Sequence, residues 1–309
     1  MSPATRLGLA ISASTAAYAA ATALPAVAAP LLVLAPLPGL LVGVQVSAAA
    51  ASAWCFLAGT TIGTVLGGAA AIGFLLPIAF PALALVLALR AAWSFDRAVV
   101  TGVVVWYVGV IGVLLAAYGN PERVLQAAQE QISTSFDLAV TTSRSMGAPE
   151  STLTTMEGDR DSLVTGLVEL LPGFLLLTGA AFILINVLLL RAWCGVYGSV
   201  NLRLWRAPDR LIWLLIGAGF GMFIPTPPVA LAARNIFVVL LGCYFCQGLA
   251  IVSYFLVQFR LPRSLRIASY ALIAIHQVFA ATVLALGVFD FWANFRRLSA
   301  GPADLDLRD

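Results

Sequence analysis

The sequence has no lysine and a single histidine, His276. Charged residues of all kinds make up 10% of its 309 positions, and hydrophobic residues make up 61%. A soluble domain carries about 25% charged and roughly 45–50% apolar residues. So little charge excludes a soluble enzyme, a nucleic-acid-binding domain and a disordered chain. One histidine and four cysteines (Cys55, Cys194, Cys243 and Cys246) cannot supply a histidine-rich metal site. Each cysteine lies in or beside an apolar run, as a small buried hydrophobe does. Also missing are the P-loop, HExxH and GxSxG patterns, and any carboxylate cluster able to hold magnesium against a lipid phosphate. No cofactor, metal or catalytic group is expected.

What remains is an all-α, polytopic integral membrane protein. About 20 apolar residues cross the hydrocarbon core as a helix. Candidate segments are 7–28, 66–89, 98–118, 163–190, 234–258 and 268–289. Residues 30–65 hold no charge, and Pro30, Pro36 and Pro38-Gly39 interrupt their first part. They allow two short crossings, or a re-entrant hairpin and one crossing. With the brief run 210–224, the expected count is eight or nine. The Pro36–Pro38 break reads as a solvent-side turn or as part of a cavity wall. Residues 7–28, rich in Ala, Ser and Thr, read as a retained membrane helix and not as a cleaved signal.

All 17 basic residues are arginine, and their placement sets orientation. One side holds Arg6, Arg90, Arg97, Arg191, Arg203, Arg206, Arg210, Arg260, Arg263 and Arg266 with two aspartates, a net +8. The other holds seven arginines and twelve acids, a net −5. The first side is expected to be cytoplasmic, in a bacterial inner membrane. Residues 1–300 read as one membrane domain with a polar insertion at 119–162, followed by a polar tail, 301–309. Within the insertion, Leu125, Ala128, Ile132, Phe136 and Ala139 recur at helical spacing. They mark an amphipathic helix on the membrane surface, or a lid over an outward cavity.

Polar groups in apolar runs are the candidate functional residues, because each costs free energy unless satisfied. They are Gln247, Asp290, Gln277, Asn186 and Glu169, read as substrate-binding, with Gln247 foremost. Gln45, Asn235 and His276 belong to the same polar class. Each also has a plainer reading as a hydrogen bond between helices. For Asp290 that reading is a pair with Arg296 or Arg297. Cys243 and Cys246 have the spacing of a redox pair, but no second pair exists, and two small residues on one helix face explain them.

Three stretches carry a resemblance. One is Ala35-Pro36-Leu37-Pro38-Gly39; another is Tyr244-Phe245-Cys246-Gln247-Gly248-Leu249-Ala250. The third runs from Leu286-Gly287 through Asp290 to Phe295-Arg296-Arg297. Together they resemble the YybS-like family of bacterial membrane proteins, a domain of unknown function. That family is distantly similar in layout to the S-components of energy-coupling-factor transporters. The resemblance implies a substrate-binding or translocating subunit for a small solute or lipid-linked molecule. An ATPase or coupling module would then dock on the Ala-rich first helix. The alternative is a non-catalytic scaffold in a cell-envelope assembly. The lipid bilayer is the remaining partner; nucleic acid is not expected.

Overall fold

The computed structural model describes residues 1–198 and 200–296. The tail 301–309 and Arg297 lie outside the described residues. Fourteen α-helices follow one another among the described residues, with no strand. They are α1 (Pro3–Ala23), α2 (Ala28–Leu34), α3 (Leu37–Gln45), α4 (Ala48–Leu66), α5 (Gly68–Phe74), α6 (Phe80–Arg90) and α7 (Phe95–Tyr118). Then come α8 (Pro121–Ser145), α9 (Glu150–Gly158), α10 (Arg160–Cys194), α11 (Arg210–Gly221), α12 (Pro227–Gln258), α13 (Arg263–Ile275) and α14 (Gln277–Ala293). The protein is a polytopic helical membrane protein.

Six helical stretches are long and apolar enough to cross a bilayer: Pro25–Gln45, Ala48–Leu66, Gly68–Arg90, Phe95–Tyr118, Arg160–Cys194 and Pro227–Gln258. A seventh results if α13 and α14 count as one bent span. This is below the expected eight or nine, for two compositional reasons. Helix α1 is diluted by Ser and Thr, and α11 has only 12 residues. The expected segment at 268–289 is also not one helix. It breaks at His276, whose backbone is extended, and the chain bends there by 100°.

Contacts divide the chain into two compact units, within what the sequence suggested as a single membrane domain. The first comprises Met1–Val168 and Leu175–Gly198; of the described residues, the second comprises Glu169–Phe174 and 200–296. In the first unit α1 packs on α2, α3 and α4 through Ala10, Ser14, Tyr18 and Ala21. The Trp54 indole donates to the Ser14 hydroxyl at 3.1 Å. Tyr18, Phe74 and Trp54 meet edge to face at 5.5 and 5.9 Å. A π-helical turn, Leu75–Ala79, holds Pro77 within the third spanning stretch, where a widened turn accommodates the missing donor.

The first unit has a basic end. Arg6 donates to the Gln45 side chain, and Arg90 to the carbonyls of Gly43 and Val44. Arg97 lies over Trp93, 4.6 Å from the ring, and Arg191 donates to the Tyr197 carbonyl. These arginines are those the charge count placed together on one side. The amphipathic helix of the insertion is α8. Its sheltered stripe runs Val124, Ala128, Ile132, Phe136, Val140, while Leu125 is 57% exposed. The stripe thus starts one residue earlier than expected.

Candidate functional site

In the second unit, α12 and α14 cross with almost no side chain between them. A Cβ on Gly248 would strike the carbonyl of Val283, and a Cβ on Gly287 would strike the carbonyl of Tyr244. Small residues allow this closeness in membrane helices. The contact brings Gln247 and Asp290 together, each 1% exposed.

A closed polar network forms there. The Gln247 amide nitrogen donates to Asp290 Oδ2 at 3.0 Å. Its oxygen accepts from the Ala207 N–H at 3.0 Å. Arg296 Nη2 donates to the same Asp290 Oδ2 at 2.8 Å. Asp290 Oδ1 accepts the Phe295 N–H at 3.0 Å. Arg296 Nη1 reaches the carbonyls of Arg203 and Trp205 at 2.8 and 2.9 Å. Asn294, in the left-handed region at φ 43°, ends α14 and turns the chain so that Arg296 can fold back. The network therefore fastens segment 201–207, which includes a 3-10 turn at Leu202–Leu204, to α12 and α14. Arg296 Nε is buried without a hydrogen-bond partner among the described residues. A buried ion pair is tolerable only when its remaining polar atoms are satisfied, and nearly all of these are.

Two further polar residues attend prolines in the spanning stretches. Proline removes a donor and crowds the carbonyl one turn earlier. Pro36 separates α2 from α3, and Ala35, Pro36 and Leu37 are all buried. The break is thus a kink inside a spanning stretch, in place of a solvent-side turn. Asn186, 1% exposed, donates to the Val33 carbonyl beside it at 3.1 Å and to Phe182 of its own helix at 2.9 Å. Its Oδ1 has no partner among the described residues. Pro172 lies inside α10. There Asn235 accepts from the Gly173 N–H at 2.7 Å and donates to the Glu169 carbonyl at 2.8 Å. The Glu169 carboxylate pairs with Arg234 at 2.5 Å.

Of the five residues singled out as substrate-binding, the structure joins Gln247 to Asp290. Asn186 belongs to the first unit and bonds there. Glu169 is paired with Arg234. Gln277 is exposed at the first position of α14, because the bend at His276 takes it out of the expected span. His276 is exposed and edge-on to Phe279. No group of three or more His, Cys, Asp or Glu residues able to hold a metal occurs among the described residues.

Sequence reasoning did not find the polar cleft of the first unit. Its volume is about 590 Å3, and its lining includes Gln126, Gln129, Glu130 and Ser133 of α8 and Arg160 and Thr165 of α10. Positions 126, 129, 130 and 133 share one helix face, a polar counterpart of the apolar stripe that a pattern search could have caught. Arg160 holds Asp137 by two bonds of 2.8 Å. Those hydrogen bonds, aided by the arginine's charge and opposed by desolvation, pull the Asp137 carboxyl below its ordinary value.

No curated protein and no solved structure matches the chain. One family profile, described as a predicted membrane protein of unknown function, matches residues 12–291. That match spans every spanning helix, Pro36, Pro172 and the Gln247–Asp290 pair, so the chain belongs to this uncharacterised family of membrane proteins, DUF2232.

Proposed function

We propose that this chain is a non-catalytic membrane subunit that works by holding another membrane protein, as a scaffold in a cell-envelope assembly does. One observation supports this reading. Most polar side chains of its apolar helices are spent on the protein itself: Gln247 on Ala207 and Asp290, Asp290 on Arg296, Asn186 on Val33, Glu169 on Arg234. Groups bonded in this way have little left for a solute. The partner's place is the Ala-rich first helix. Ser12, Ala13 and Ala16 of α1 are exposed, beside a groove lined by Leu9, Ala13, Pro38 and Leu41. Small residues on a membrane helix admit close approach of another helix.

A second reading is favoured by the cleft between α8 and α10. A polar hollow of that size suits a small solute. The chain would then be the substrate-binding or translocating subunit of a small-solute or lipid-linked transport system, as a resemblance to S-components would imply. An ATPase docked on α1 would supply the energy.

Native mass spectrometry of the protein, released gently from its own membranes, separates the two. An envelope protein at fixed stoichiometry, with no small molecule, is the expected result. A retained solute, or an ATPase subunit, would replace the scaffold by the transport subunit. A bare monomer would overturn both.

A further inference from the structure

The bend at His276 leaves α13 in an unusual position. Helix α14 is apolar over its 17 residues apart from Gln277, Thr282 and the buried Asp290, and its axis turns from that of α13 by 100°. If α14 enters the bilayer, α13 must run nearly parallel to the membrane plane. The side chains of α13 fit that placement. At about 100° per residue, Leu265, Ala268, Leu272 and Ile275 fall within about 80° of one another around the helix. All four are exposed; Ile275 is 84% exposed. Arg263 and Tyr270 lie on the opposite side. Arg266, Ser269 and Ile273 make a third sector that is sheltered by the protein. An apolar face, a protein-bound face and a third face that carries Arg263 beside Tyr270 and the exposed Ile267 suit a helix seated at a membrane interface.

The charge is one-sided as well. Arg260, Arg263 and Arg266 cluster at the start of α13. No Asp or Glu occurs anywhere between Asp209 and Asp290. Arg266 is turned back to the Leu261 carbonyl, whereas Arg260 and Arg263 are exposed. A cluster of arginines with no acid beside it is drawn to a surface of anionic lipid. We infer that α13 is an interfacial helix that binds the anionic lipid surface, with Arg260 and Arg263 on the phosphate groups and Leu265, Leu272 and Ile275 among the acyl chains. The inference stands apart from the scaffold reading, since it concerns neither α1 nor a protein partner.

The test uses the full chain in nanodiscs, made with phosphatidylglycerol or with phosphatidylcholine. Amide hydrogen exchange is followed over 263–275. The helix is expected to exchange several-fold more slowly in phosphatidylglycerol. Arg260→Gln with Arg263→Gln should abolish that difference, because each arginine near such a surface is worth about fivefold in binding. Exchange in α12 and α14 reports whether the variant is folded. Raising the salt concentration should weaken the wild-type difference in the same way. Equal protection in both lipids would show α13 buried in the membrane or against protein, and would overturn the inference. Equal lack of protection in both would leave its apolar face to a protein partner, and would overturn it too.

Discussion

Asp290 and Arg296 are the residues on which the second unit depends most. Their side chains are 1% and 0% exposed. Removing one member of such a pair strands a charge, at a cost of about 3–5 kcal/mol. Arg296→Met should therefore lower the thermal unfolding midpoint in detergent markedly. The double variant with Asp290→Leu should lose less than the two single changes summed, because neither charge is then left alone. Gln247→Leu should cost about 1–3 kcal/mol, since the Ala207 N–H loses its acceptor. A Gln247→Leu protein as stable as wild type would show that the network does not hold the 201–207 segment. Much of this was readable beforehand. Gln247 and Asp290 stand out as polar groups in apolar runs, and Arg296 follows Asp290 closely enough to pair with it. Their other partners were not readable. The carbonyls of Arg203 and Trp205 and the N–H of Ala207 are backbone groups, and every residue but proline carries both kinds.

Among the elements, the crossing of α12 and α14 rests on two glycines. Gly287→Ala puts a methyl group into a carbonyl and forces the helices apart, and overpacking of this kind costs typically 1–3 kcal/mol. The separation would also pull Asp290 from Gln247, so that a loss well above that of an alanine on the open face of α14 is expected in thermal unfolding. The packing of α8 on the start of α10 should respond to acid. Asp137 sits below its ordinary 3.8 in the folded protein, so its bond to Arg160 contributes above that pH and is lost as pH falls through the lowered value. Hydrogen exchange in α8 and α9 should rise on acidification through that range. Asp137→Asn should show the faster exchange already at neutral pH, and lose this part of the acid response. Element boundaries were legible where proline or glycine marked them, as at Pro36 and Gly147, whereas α10 runs unbroken through Pro172. The bend at His276 was not, because the sequence around it has neither. There an amphipathic helix meets one that is apolar around most of its surface, and the joint shows only as the polar pair His276-Gln277.

At the scale of the molecule, charge asymmetry predicts how the first unit is inserted. Arg6, Arg90, Arg97 and Arg191 form one end of it, while α8 and α9 carry acids at the far ends of α7 and α10. A protease site inserted at Gly147, between α8 and α9, should be cut in intact spheroplasts. A site inserted between α6 and α7 should be protected until the membrane is opened. Cleavage in the reverse pattern would invert the orientation. The closed polar network also has a consequence for the order in which the chain is made. Gln247 and Asp290 are 43 residues apart, and Arg296 is 93 residues from the carbonyl it binds at Arg203. During synthesis the 201–207 segment and α12 are thus in place before the ion pair that binds them exists. A ribosome stalled before Asp290 leaves the Gln247 amide without that partner and the two carbonyls without their arginine. Such an unfinished chain presents membrane quality control with a ready mark of incompleteness, and the arrival of α14 and Arg296 erases it.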